Sequence, residues 1–135
     1  MFADRLQVPI TFQETLSADA TRAIGRAEGI QHVMGADVFM SSALATHATN
    51  YVTFKIINLG TDASGTTVIA SASTSQTGGS AVAANVAFPL TITDANKVLA
   101  DGETIGFVYD ESTTDVANSH VVNVVVRTVQ VGAPS

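Results

Sequence analysis

The sequence contains no cysteine and no tryptophan, and only six of its 135 residues are lysine or arginine. Without cysteine the chain can form neither a disulfide framework nor a thiolate metal site, and it has no cysteine nucleophile. The net charge of −6 argues against nucleic-acid binding, because neutralising phosphates requires a surface rich in lysine and arginine. No apolar run approaches the roughly 20 residues of a membrane-spanning helix. The first five residues lack the basic-then-apolar order of a secretory signal. We therefore expect no nucleic-acid partner, no membrane partner and no export through a signal peptide.

The abundant residues are β-branched: valine, isoleucine and threonine make up 42 of the 135 residues. This enrichment favours strands over helices. From Gly29 onward, apolar or alternating stretches are separated by clusters of Gly, Asn, Asp and Ser, which is typical of an all-β domain. We predict strands at 30–41, 51–58, 66–73, 86–93, 103–109 and 119–131. A chain of this size forms a single core, so residues 29–135 are predicted to be one antiparallel β domain.

Residues 1–28 are predicted to form an extended N-terminal arm or an edge strand. Leu6 to Phe12 alternates apolar and polar side chains, as in a half-buried strand or an extended arm. Pro9 has no N–H to donate, so a strand that contains it should lie at a sheet edge. Residues 17–28 are compatible with a short helix capped by Ser17, although Gly25 and Gly29 disfavour it.

Two strands indicate a surface that needs covering. The last strand, 119–131, is apolar on both faces over much of its length, which predicts a central place in a sheet or a position under a partner. In strand 51–58, the period-2 spacing predicts that Val52, Phe54 and Ile56 face the core. Ile57 falls on the opposite face, where a lone domain would leave it exposed. The arm could add a strand to the open edge of a neighbour, or it could pack on its own domain. Our candidate protein-interface residues are Phe2, Arg5, Leu6 and Ile57.

Acidic residues concentrate near the carboxyl end, where six lie within 22 residues: Asp94, Asp101, Glu103, Asp110, Glu111 and Asp115. Paired carboxylates could serve a glycosidase, and the nearest such pair is Glu103 with Asp110 or Glu111. No aromatic platform for a sugar ring accompanies these acids. We therefore favour the interpretation that they lie on loops and edges and keep the domain from aggregating.

No other residue pattern points to catalysis. The three histidines, His32, His47 and His120, have no spacing that matches a metal-binding motif. Ser41 or Ser42 with His47 and Asp37 has the residue types of a catalytic triad, but no G-x-S-x-G elbow follows a strand here. We therefore predict that the chain is not an enzyme and has no catalytic residues, no cofactor and no metal ion.

The order of several short segments between Gly29 and Val131 is similar to the order found in a known class of proteins. In sequence these are NYVTF (50–54), NLG (58–60), DASG (62–65), TTVIA (66–70), PLT (89–91), ADGE (100–103) and a final valine-rich strand. This order resembles small capsid decoration proteins of tailed bacteriophages. The resemblance implies an antiparallel β-sandwich, jelly-roll-like, without enzymatic activity. Alternation of residues alone does not distinguish a jelly roll from an immunoglobulin-like sandwich.

The resemblance also implies a function, because members of that class bind the outer surface of the major capsid shell, often as trimers, and cement it. We accordingly expect a structural virion protein on the outside of a capsid, made in the cytoplasm of a bacterial host. Its expected partners are the major capsid protein and further copies of itself, a trimer being favoured. The alternative is a carbohydrate- or receptor-binding β-sandwich module of a phage fibre or spike. Such a module would have only Tyr51 and Tyr109 as phenols to stack on a sugar.

Overall fold

The computed structural model describes residues 5–113 and 120–133. In these ranges the chain forms eleven strands and a single 3-10 turn, Asp94–Asn96. The strands are β1 (Arg5–Leu6), β2 (Ile10–Leu16), β3 (Ala20–Arg26), β4 (Ile30–Met40), β5 (Val52–Gly60), β6 (Thr67–Ser73), β7 (Phe88–Pro89), β8 (Thr91–Ile92), β9 (Val98–Leu99), β10 (Thr104–Glu111) and β11 (His120–Gly132). No helix in these two ranges is long and apolar enough to cross a membrane.

The strands form two sheets, and every strand pair within them is antiparallel. In sheet A, β11 lies between β4 on one side and β1 and β2 on the other, while the far side of β4 pairs with β7 and β9. Sheet B has the order β3-β10-β5-β6-β8. The predicted all-β, antiparallel class is therefore confirmed, and so is the central position of the valine-rich last strand.

The two sheets share one core of aromatic and aliphatic side chains. Phe12 of sheet A lies 6.2 Å from Phe107 of sheet B, measured between ring centroids. Phe54 of sheet B lies 5.7 Å from Phe88 of sheet A in an edge-on arrangement. Along β11 and most of β5, buried residues alternate with more exposed ones, as expected where one face of a sheet is covered. The inner faces of the two sheets therefore pack against each other.

The chain crosses between the sheets within the segment that the sequence predicts as one strand at 86–93. Phe88 and Pro89 pair with β4 of sheet A, whereas Thr91 and Ile92 pair with β6 of sheet B. Leu90, between them, is buried, and its N–H donates to the carbonyl of Ala36. The predicted strand is therefore two short strands in different sheets.

The N-terminal segment is built into both sheets. β1 and β2 pair only with β11 and are separated by Gln7, Val8 and Pro9, which confirms that Pro9 lies at an edge. The short helix considered for residues 17–28 is wrong, because β3 occupies Ala20–Arg26 and pairs with β10. Gly25 suits this strand, since a Cβ there would lie only 3.1 Å from the Ile10 side chain of β2.

Candidate interaction surface

The outward-facing side of sheet A is apolar over much of its area. On β11, every second residue from His120 to Gln130 is buried, and the residues between them point away from the core. Valines occupy most of these outward positions, and Phe39 of β4 lies on the same side with partial exposure. We define the outer face of sheet A as the surface formed by Met34, Phe39, Val98, Val121, Val125 and Val129.

A bulge in β4 exposes one large apolar side chain of this face, Met34, to solvent. The register with β11 shifts so that Gly35 faces Arg127 and Val33 faces Thr128, which leaves Met34 without a partner on β11. Met34 is 59% exposed. Val98 of β9, which faces His32 of β4, is 47% exposed. Bulges commonly redirect a side chain in this way, so the protrusion of Met34 is a property of the backbone.

An ion pair lies in the middle of the outer face of sheet A. A terminal nitrogen of Arg127 on β11 lies 2.5 Å from Oδ2 of Asp37 on β4. Gly35 makes this arrangement possible, because a Cβ at that position would lie 2.2 Å from Arg127 Nη2. The Arg127 side chain is half exposed, so the pair contributes at most about 1 kcal/mol to folding. Its main consequence is that the charges of this face cancel.

Of the four candidate interface residues, three lie at the N-terminus. Phe2 lies outside the described residues. Arg5 and Leu6 form β1, and their backbone pairs with Gln130 and Val129 at the edge of sheet A. These three remain interface predictions.

The fourth candidate, Ile57, was expected to be exposed in a lone domain, and that expectation is wrong. Ile57 is only 5% exposed within its own chain. Ile57 lies on the side of β5 that it shares with Lys55 and Leu59, outside the core, but residues of its own chain cover it there. Ile57 lies with Leu59 and Val108 in a groove of about 300 Å³ that the turn at 63–66 also lines. It therefore gives no independent reason to expect a neighbouring subunit at this position.

The acidic segment does not assemble the carboxylate pair considered for a glycosidase. Glu103 and Asp110 lie seven residues apart along an extended strand, a separation of roughly 24 Å between Cα atoms. Glycosidase carboxyl groups lie about 5 to 9.5 Å apart. Glu103 instead accepts a hydrogen bond from the Ala100 N–H, and Asp101 accepts one from the Gly29 N–H. These acids hold turns in place, and Asp115 lies outside the described residues.

Glu111 belongs to a small polar cluster at the end of β10. Its backbone N–H donates to Oδ1 of Asp19 at 2.7 Å, and the fully buried Tyr109 lies beside its side chain. Burial raises the pKa of Glu111, and the charge of Asp19 adds to that effect. Burial and the charge of Glu111 likewise raise the pKa of Tyr109. Among the described residues, neither Tyr109 Oη nor Glu111 Oε1 has a well-formed hydrogen bond.

The charge on Glu111 should make the fold less stable as pH rises. The folded-state pKa of Glu111 is above its unfolded value near 4.5, so the favourable contribution of the protonated side chain is lost as pH rises through the folded pKa. We expect Glu111→Gln to raise the free energy of unfolding at pH 8, with a smaller gain at pH 4. Urea unfolding at both pH values measures this.

The matched control for Glu111→Gln is Glu28→Gln, since Glu28 forms only an exposed ion pair with Arg26. We expect this variant to change the free energy of unfolding by less than about 0.5 kcal/mol, with little dependence on pH. A Glu111→Gln protein that is no more stable than the parent at pH 8 would show that burial of this carboxylate costs nothing.

The residues considered for a catalytic triad, and not predicted to form one, are not brought together. Asp37 pairs with Arg127, and Nδ1 of His47 accepts hydrogen bonds from the backbone N–H groups of Thr49 and Asn50 in the β4–β5 loop. Ser42 instead lies 2.7 Å from Nδ1 of His120, through its Oγ. No sequence pattern indicated this contact, because it joins residues 78 positions apart that come together only through the pairing of β4 with β11. Within 5–113 and 120–133, no three His, Asp or Glu side chains could hold a metal ion together.

A shallow groove of about 790 Å³ lies beside β5 and β6, under the loop at 74–81. Cross-strand register brings Thr53 opposite Ser73 and Ser71 opposite Thr91, so hydroxyl groups line much of it. Tyr51 lines this groove, whereas Tyr109 is fully buried and cannot stack on a sugar. Tyr51 is therefore the phenol through which a carbohydrate-binding role could act.

No protein-family model, curated protein or solved structure shows significant similarity to this chain. The surfaces described above are therefore the basis for inferring its function.

Proposed function

We propose that this protein is a structural virion protein, a capsid decoration or cement protein that binds the outer surface of the major capsid shell and stabilises it. The observation that carries the proposal is the apolar outer face of sheet A. Backbone pairing already occupies both sides of β11, yet its outward side chains are mostly valine. A sheet with apolar residues on both faces is normally covered on both. In an assembly, another protein subunit would cover the outer face of sheet A.

The strand order supports the finer part of the proposal, a jelly-roll β-sandwich with an N-terminal arm. From β2 to β11 the chain changes sheet at every connection except β5–β6, and the main strands have the orders β2-β11-β4-β7 in sheet A and β3-β10-β5-β6 in sheet B. Two four-stranded antiparallel sheets connected by Greek keys are the jelly-roll architecture of many viral capsid domains. The residues before β2 would be the arm, with β1 as its point of attachment to sheet A.

The charge of the chain supports a position on the outside of a particle. A net charge of −6 with six cations would be repelled by packaged DNA and tolerated on an outer surface. The proposed partners are the major capsid protein and further copies of this chain in a trimer, with no nucleic acid or membrane partner. The proposed localisation is the outer surface of a virion after synthesis in the cytoplasm of a bacterial host.

The hydroxyl-lined groove favours the second candidate function, a carbohydrate- or receptor-binding module of a phage fibre or spike. Sugars are bound through hydrogen bonds to polar side chains together with stacking on an aromatic ring. Thr53, Ser71, Ser73 and Thr91 would supply the hydroxyl groups, and Tyr51 the ring.

The temperature at which phage particles release their DNA tests the proposed function. We expect particles assembled without this protein to release DNA at a lower temperature than complete particles, because a cement protein adds contacts between capsid subunits. Adding the purified protein back should restore the original temperature, whereas an equal mass of an unrelated acidic protein should not. Unchanged particle stability would contradict the proposal. Retention of the purified protein on glycans, lost in Tyr51→Ala, would support the second candidate.

A further inference from the structure

We propose that the outer face of sheet A is the surface through which copies of this chain bind one another. This inference rests on the proposed role as an assembly component, and it names the partner that covers this face.

Exposed apolar residues cluster on one edge of sheet A. Among the described residues, the exposed large apolar side chains are Val8, Ile30, Met34, Val86 and Val98. Ile30 and Met34 belong to β4, and Val98 belongs to β9, which pairs with β4. With the half-buried valines of β11 beside them, they form an apolar strip that is interrupted by His32 and by the Arg127–Asp37 pair. Such strips on small domains commonly mark sites of protein association.

Contact with this strip has to be made through side chains. Both backbone edges of β11 are paired along most of its length, with β4 on one side and with β1 and β2 on the other. The outer edge of β4 pairs in part with β7 and β9. Strand addition is therefore blocked at β11, and the geometry left open is packing of a partner surface on the sheet face.

The charge distribution favours a second copy as that partner. Copies of a chain with a net charge of −6 repel one another over most of their surfaces. On the outer face of sheet A, however, Asp37 is paired with Arg127, and at its margin Asp94 is paired with Lys97. The excess negative charge thus lies elsewhere on the chain, and this face is where two copies can approach without repulsion.

The central ion pair also makes the face complementary to itself. Arg127 remains half exposed after it pairs with Asp37, so a second copy can bring its own carboxylate to the guanidinium. An adjacent cation and anion on each copy can exchange partners across a two-fold interface, so this face joins copies in pairs and is separate from the three-fold contact of the proposed trimer. An apolar face with a neutral, self-complementary centre fits another copy of this chain.

Lysine substitution at Met34 tests the inference. We expect the parent protein to be oligomeric by light scattering, and we expect Met34→Lys to raise the concentration needed for association at least about tenfold, because it places an unpaired charge in the apolar contact. The matched control is Val86→Lys, which introduces the same charge at a similarly exposed position, 56% against 59%, in the loop before β7. The control should associate like the parent. Circular dichroism should show that both variants are folded, since both positions are exposed.

A parent protein that stays monomeric at every concentration would overturn the inference, and so would equal weakening of association by both variants. If the monomer binds capsids and Met34→Lys abolishes that binding, the face belongs to the capsid contact, so the inference fails while the proposed function stands. If Met34→Lys dissociates the oligomer but particles are equally stable without the protein, the inference stands and the proposed function fails.

Discussion

Phe54→Ala is expected to lower the free energy of unfolding by about 3–5 kcal/mol, which is the usual cost of deleting a fully buried phenylalanine ring. Phe54 has no solvent exposure and lies at the centre of the aromatic cluster. Its ring centroid is 5.7 Å from that of Phe88 in sheet A and 5.9 Å from that of Tyr109 in sheet B. Removing the ring would leave a cavity bordered by both sheets, and urea unfolding of the parent and the variant measures the loss.

The matched control for this substitution is Tyr51→Ala, three residues earlier in the chain. Tyr51 is half-buried at the mouth of the hydroxyl-lined groove, so its removal should cost about 1 kcal/mol or less. If the two variants lost similar stability, the sheets would not share the core that the Phe54 contacts indicate.

The alternation around Phe54 shows what could be predicted from the sequence. Val52, Phe54 and Ile56 were assigned to the core from period-2 spacing, and all three have no solvent exposure. The central position of β11 was predicted from the apolar residues on both of its faces. Where burial alone determines a residue's position, the local pattern of apolar and polar residues is sufficient to predict that position.

Bulges and crossings were not predictable, because the partner strand determines them. The register shift opposite Ile56 and Ile57 leaves Ile69 of β6 without a partner on β5, and Ile57, which was expected to be exposed, is covered by residues of its own chain. Ala20–Arg26 has a weak pattern and two arginines, and its strand conformation comes from pairing with β10. At Leu90 the chain changes sheets within an apparently continuous strand. A short stretch of sequence does not contain the information that determines the bulge, the strand β3 or the crossing at Leu90.

The candidate surface was predictable in part. The valines of β11 indicated a face that needs cover, but neither the protruding Met34 nor the Arg127–Asp37 pair was anticipated. One signal for the pair was present, because a glycine inside a strand often marks the close approach of another group, and Gly35 lies under Arg127. The contact itself joins residues 90 positions apart, so only the register of β4 with β11 determines it.

Gly79→Ala is expected to destabilise the protein by about 3 kcal/mol, at the upper end of the usual cost of overpacking. A Cβ at Gly79 would lie 2.4 Å from the carbonyl oxygen of Ser73 and 2.5 Å from that of Ser75. These are backbone atoms, which cannot rotate away as a side chain would. The same loop depends on hydrogen bonds from Gly79 N–H to Ser75 and from Ser80 N–H to Ser73, both 3.0 Å long. Urea unfolding measures the loss.

The adjacent Gly78 provides the control, because alanine there would be destabilised by backbone strain and not by a steric clash. A Cβ at Gly78 meets nothing within 4 Å, but its φ of +79° lies in the left-handed region, so Gly78→Ala should cost about 1 kcal/mol from backbone strain alone. The larger loss at Gly79 would show that the 74–81 loop is held tightly against the end of β6. An equal loss at both positions would mean that the loop moves to accommodate the methyl group, and the groove beside Tyr51 would then lack the fixed shape that selective binding of a sugar requires.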